Sequence, residues 1–190
     1  MFHDLDETLR TLLKGELPSE LAQSVHVTFG PPDSGEITSG NKLPALNLFL
    51  YDIKEDVSRR VVRPDIERRA DGTVTRHWPP AIVDCHYLIT AWSGAEGEAK
   101  DFDEHRLLGE AMKAFLRHRE IPKASLRGEL KVLDHQVTAW LIQSDRVKSL
   151  GEFWQALGGK PRAALSYMVT IQVPTTRPEP AGTVATELEV

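Results

Sequence analysis

Residues 43–60 read LPALNLFLYDIKEDVSRR, and the fold turns on this stretch. It follows the turn-rich run GPPDSGEITSGNK, contains no glycine, and has its one proline, Pro44, at the entry. Side chains alternate along a strand, so Leu46, Leu48 and Leu50 share one face and Asn47, Phe49, Tyr51 and Ile53 the other. A stretch apolar on one face and largely covered on the other is a buried strand, expected in the middle of a sheet. The charged run KEDVSRR then returns the chain to solvent.

Upstream, Phe2, Leu5, Leu9, Leu12 and Leu13 repeat at three- and four-residue steps and predict an amphipathic helix. Asp4, Asp6 and Glu7 in its first turns suit the helix dipole. Val25, Val27 and Phe29 predict a half-buried strand ending at Gly30-Pro31-Pro32, and residues 31–42 a long polar loop. Downstream, Arg63, Arg68, Arg69 and Arg76 surround the turn pair Asp71-Gly72, a solvated hairpin or protruding arm that reads either as a plain surface loop or as an electrostatic contact with a partner. AIVDCHYLITAW (81–92) reads as a second central strand.

A helix follows, capped by Asp101 or Asp103, with Leu108, Ala111, Met112, Phe115 and Leu116 expected to be its buried stripe. Leu130/Val132 and Val137/Ala139/Leu141 predict two short strands or one broken one. Ser149 and Glu152 form a capping box for a helix over 150–157. Leu165, Tyr167, Val169, Ile171 and Val173 alternate as a half-exposed strand. The expectation is one α+β domain over 1–173, a mostly antiparallel sheet with helices on one face, and a flexible Pro-containing tail over 174–190.

The 190 residues suffice for a core without staples, and the single cysteine, Cys85, excludes an internal disulfide. A net charge of −5 argues against a general nucleic-acid binder. No apolar run has the length of about 20 residues that a membrane helix needs, and MFHDLDETLRTLLK has no signal-peptide pattern. A soluble protein made in the cytoplasm is expected.

Gly35 to Gly40 has phosphate-loop glycine spacing but continues Asn41-Lys42-Leu43 without the Lys-Ser/Thr pair. Adjacent strand residues point apart, so Cys85 and His86 cannot exchange a proton. Asp84 and His86 share a face, and an enzyme built from dispersed groups such as Asp84, His86 and His105 stays open. His105 and His118 are too far apart on one helix to share a metal, and Asp101, Asp103 and Glu104 lack calcium-loop spacing. No catalytic, cofactor or metal residues are assigned. Of the four tryptophans, Trp154 reads as core, while Trp78 and Trp92 flank one strand near loops, as contact anchors or as core.

Several blocks in order, FHDLDETLRTLL, VHVTFGPP, LPALNLFLYDIKEDVSRR, WPPAIVDCHYLITAW, EHRLLGEAMKAFLRH and SLGEFWQALGGKPRAALSYMVTIQV, resemble the N-terminal domain of cap, or tail-terminator, proteins of phage-tail-like extracellular contractile injection systems. Asp56 stands where the family pattern often has Asn. The resemblance implies a structural protein without catalytic residues, forming a ring (typically hexameric) at the baseplate-distal end of the particle. It implies inner-tube and sheath proteins as partners, no nucleic acid, no membrane, and a particle that is assembled in the cytoplasm. A non-ring adaptor or tail-completion subunit of the same particle is the alternative. On that reading the loop 31–42 and the last strand are contact regions, and Tyr51, Arg60, Trp78, Trp92, Pro31, Pro32, Thr170 and Gln172 are the candidate interface residues.

Overall fold

The computed structural model describes residues 1–32, 35, 37, 42–61, 63–68, 73–132, 136–142, 154–155, 160–175 and 179–183, with Thr73 and residues 179–183 described by backbone alone. The helices whose full extent lies among the described residues are α1 (Phe2–Glu16), α2 (Ser19–Ser24), α3 (Glu98–Arg117) and α4 (Gly128–Val132). The strands are β1 (His26–Thr28), β2 (Ala45–Glu55), β3 (Asp65–Arg68), β4 (Thr73–His77), β5 (Ala81–Trp92), β6 (Thr138–Leu141), β7 (Ala164–Val173) and β8 (Glu179–Thr183). The main sheet runs β1-β2-β5-β7-β6, antiparallel except for the β1–β2 pair.

Alternation builds one face of this sheet from Leu46, Leu48, Cys85, Tyr87, Ile89, Tyr167, Val169 and Ile171, all fully buried. Against it pack Leu5, Leu9, Leu12 and Leu13 of the predicted α1 stripe and the α3 stripe, whereas Phe2, read as part of the α1 stripe, is 38% exposed at the helix start. The α3 stripe is rotated from the expected one: Leu107, Leu108, Ala111, Ala114 and Phe115 are buried, whereas Met112 and Leu116 are 41% and 59% exposed. Leu108, Ala111 and Phe115 are common to both readings. The helix adds small Ala114 and Leu107, so that Phe115 lies 4.1 Å from the Tyr167 ring. The helix also starts earlier than read, with Gly97 as its N-cap at φ 63°, so Asp101 and Asp103 lie inside it.

Leu130 and Val132 do not belong to a strand. Leu130 is the one buried residue of the short helix α4, and Val132 is 84% exposed. That helix is latched to α1: Thr8 Oγ1 accepts from the Arg127 amide (3.0 Å) and Asp4 Oδ2 from the Glu129 amide (3.3 Å). Gly128 lies between them at φ 52°, and a Cβ there would fall 1.8 Å from Asp4 Oδ1. The positive φ calls for glycine, and a Cβ would also displace the Asp4 carboxylate from its place beside the Glu129 amide.

β2 is less central than read. β1 pairs with Ala45, Leu46 and Asn47, so among the described residues β2 is an edge beyond them. The last long strand, β7, is correspondingly not an edge: β5 lines one side and β6 covers Tyr167 to Thr170 on the other. The predicted arm is a β3–β4 hairpin. Its sheet gains a third strand that sequence reading omitted, β8, within the stretch read as tail. Pairing to an open β4 edge satisfies backbone hydrogen bonds without an apolar face, so the low apolar content of 174–190 gave no sign of it. The Asp71-Gly72 turn and the Ser149/Glu152 capping box lie outside the described residues.

Candidate assembly surface

The eight candidate residues separate along β5, which is 12 residues long. At its start, β2 leaves the sheet through Asp56, which caps a 3-10 turn, Val57–Arg59. Asp56 Oδ1 accepts from the Ser58 amide (3.1 Å) and hydroxyl (2.5 Å), and Oδ2 from Arg59 Nε (2.5 Å). The Ser58 bonds, then Arg59, hold the Asp56 carboxyl below the ordinary carboxylate range. Arg59 also reaches Asp84 (3.5 Å), whose Oδ1 accepts from Thr170 Oγ1 (2.6 Å). This turn aims Arg60 along Glu55 (3.2 Å). Arg60, Val61, Trp78, Pro79, Pro80 and Thr175 then line one shallow pocket of about 120 Å³. Trp78 is 38% exposed. Sequence reading named Arg60 and Trp78 separately, and the fold joins them.

At the other end of β5, Trp92 is no contact anchor. It is 3% exposed and packs with Ile37 and Ala45. Its Nε1 donates to Thr90 Oγ1 (2.9 Å), and the Arg162 guanidinium lies 3.6 Å over its ring. Arg162 Nη1 also donates to Glu104 Oε2 (3.0 Å) and to the Ala91 carbonyl (3.3 Å). Glu104, itself buried, accepts from the Ser93 amide (3.3 Å). One ion pair, buried at Glu104 and half-buried at Arg162, thus clamps α3, the end of β5 and the approach to β7. Pro31 is exposed and Pro32 buried beside it.

The remaining three candidates belong to the second face of the sheet. Tyr51 is the bulge residue between Leu50 and Asp52, half-buried, with its ring 6.1 Å from that of His86. Thr170 is 5% exposed and committed to Asp84, so it offers no free surface. Gln172 is half-buried in β7.

No catalytic geometry emerges among the described residues. Asp84 and His86 lie on the face away from α3, while His105 is exposed on α3, so the fold does not bring the three together. Cys85 is buried, and burial pushes its thiol up to about 12, which keeps it protonated. No group of three or more metal-ligating side chains occurs among the described residues. Nor is any helix among them long and apolar enough to cross a membrane. Burial raises Asp6, whose Oδ1 accepts from Tyr87 (2.9 Å). At the far end of α1, the His118 hydrogen bond, then Arg117, hold Glu16 low. Sequence reading missed the Glu104–Arg162 clamp. Its only sequence signal was an acid at i−3 and i−4 from Leu107 and Leu108, on the side of α3 that faces the core.

A family model, the Pvc16 N-terminal domain, matches residues 4–187. No curated protein matches. Among solved structures, the sheath/tube terminator of an extracellular contractile injection system, PVC, in its extended state is similar at TM-score 0.71 and 22% identity, over 100% of this chain and 62% of that one. The anti-feeding prophage cap, a tube-terminating cap, is similar at TM-score 0.68 and 22% identity, over 98% of this chain and 59% of that one. At these identities the likeness is one of fold, and this chain spans about three fifths of each solved chain.

Proposed function

The chain belongs to the Pvc16 N-terminal domain family, and from that premise we propose that it is a structural cap, which closes the end of the inner tube of a contractile injection particle and joins that end to the last sheath ring. The supporting observation is that the likeness to two tube terminators runs along essentially this whole chain. The mechanism is steric. Copies arranged in a ring, six in the reading the resemblance implies, cover the open tube end and leave no surface for another tube layer. Contacts between copies are heterologous and close by rotation.

In this arrangement the main sheet with α1 and α3 is the body, and the β3-β4-β8 sheet is the arm. The corner formed by Arg60 and Trp78 is the best placed of the candidate contacts, because it couples an exposed aromatic to a cation in one pocket. Particle assembly takes place in the cytoplasm. The test is polymerisation of the tube protein with and without this chain, with tube lengths measured by electron microscopy. Short tubes with end density at substoichiometric amounts are expected, and an unchanged length distribution overturns the reading.

A further inference from the structure

The arm differs in charge from the rest of this chain. Between Arg63 and Arg76 stand four arginines against three acids, a surplus of one on a chain whose net charge is −5, while Arg59 and Arg60 are matched by Asp56 and Glu55. The β3–β4 register sorts the arm by face. Ile66 pairs with Arg76 and Arg68 with Val74, which puts both arginines and the two aliphatics on one side. Asp65 pairs with His77 and Glu67 with Thr75 on the other, where His77 and Glu67 are 3.1 Å apart. Every residue of β3 is exposed, and Ile66 is 59% exposed. Among the described residues, Arg63 and Arg68 form no ion pair, while Arg76 stands opposite Glu179 of β8.

The complement lies on the same chain. The approach to α3 and its first turns carry Glu96, Glu98 and Asp101, all exposed, with Lys100 the only cation between them. The helix dipole accounts for acids here. It does not account for Phe102, which is 73% exposed among them. The Ile66/Arg68 face of the arm and the acidic end of α3 each set charge beside an uncovered apolar side chain, and the charges are opposite. They also lie at opposite ends of β5, which at about 3.3 Å per residue separates them by about 36 Å. One copy therefore cannot satisfy itself, while two copies in succession can.

We propose that copies of this chain associate head to tail, the Ile66/Arg68 face of the arm in one copy docking on the Phe102 end of α3 in the next. The partner is a second copy because the matching surface is present on the same chain, and contact between two different surfaces is heterologous, the type that closes into rings. The inference deepens the ring reading and rests on it only for closure.

The experiment uses two charge-reversed full-length chains, Arg63→Glu/Arg68→Glu and Glu98→Lys/Asp101→Lys. Association is followed by light scattering at low salt, with and without the tube protein. Wild type associates, and added salt weakens it because the contacts are exposed charges. Each reversed chain alone associates at least about tenfold more weakly, since like charges now face each other. Mixing the two restores association, because each arm again meets an opposite end. Circular dichroism checks that both variants fold. The proposal is overturned if wild type stays monomeric under both conditions, if either reversed chain associates like wild type, or if the mixture does not recover. Tube capping by variants that no longer pair this way would overturn this contact and leave the cap reading standing. Pairing as described with no effect on tube length would do the opposite.

Discussion

The two sheets of this molecule are built on different grounds. The main sheet has strands of up to 12 residues whose inner face is buried beneath α1 and α3. The arm sheet has strands of 4 and 5 residues in its hairpin, and none of the β3 side chains is buried. The first is held by removal of apolar surface from water, at roughly 25 cal/mol per Å². The second is held by ladder hydrogen bonds, each worth about 1 kcal/mol net. A sheet held mainly that way gives up little when it moves, and is free to spend its side chains on a partner. The difference separates what makes the fold from what is left for assembly.

The strongest test of that separation compares matched truncations. Leu9 is fully buried between α1 and the sheet, so Leu9→Ala costs about 3 kcal/mol. Ile66→Ala, on the arm, changes stability by about 0.5 kcal/mol or less. Denaturant unfolding of the two variants measures both. Equal losses would mean that the arm belongs to the core after all.

Next in size is the clamp at the end of β5. Arg162→Ala removes the only cation in contact with buried Glu104 among the described residues and exposes one face of Trp92, at a cost of about 2 to 3 kcal/mol. Adding Glu104→Gln restores part of this loss, since the amide needs no counter-charge. If the double variant is no more stable than the single, the guanidinium acts through stacking on Trp92 and not through the carboxylate. Somewhat smaller is Gly128→Ala, at about 2 kcal/mol, from positive φ and from the collision with Asp4. It should release α4 from α1, visible as faster amide exchange at Glu129, with the arm unaffected.

The same contrast explains what the sequence made legible. Period-two and period-three-to-four apolar patterns report burial, so β2, β5, β7, α1 and α3 were all readable. The patterns failed where burial is not the cause. Val132 looks like a strand residue but is exposed on a helix that exists because Thr8 and Asp4 hold the preceding backbone. β8 is apolar-poor and is a strand because β4 had an unpaired edge. Trp92 was a candidate contact because loops flank it, and it is core because Arg162, 70 residues later, covers its ring. Arg60 and Trp78 were separately legible as exposed and charged or aromatic, but their meeting depends on the turn that Asp56 caps. Asn at that position also accepts from the Ser58 amide, so the departure from the family pattern leaves the turn intact.

The smallest effect concerns the one carboxylate that the core itself perturbs. Burial raises Asp6, and the Tyr87 hydroxyl bond only partly offsets this. A carboxyl raised on folding holds its proton more tightly in the native state, so its contribution to stability is fully present below the ordinary carboxylate range. That contribution is lost as pH rises through the raised value. Asp4, Glu16, Asp56 and Glu110 are all held low and have the opposite slope, losing their contribution as pH falls through their own lowered values. Asp6→Asn keeps an oxygen that accepts from Tyr87 and removes the ionisation. The variant should therefore gain stability relative to wild type as pH rises from acid to neutral, while the two converge where Asp6 is already protonated. Thermal melts across that range read the difference directly. If the variant is instead destabilised at neutral pH and the gap closes in acid, the charged carboxylate is the form that the Tyr87 hydroxyl holds, and the hydrogen bond outweighs the burial. The same melts on Ile66→Ala should show no pH-dependent gap, because no ionisable group of the core touches the arm's apolar side chain.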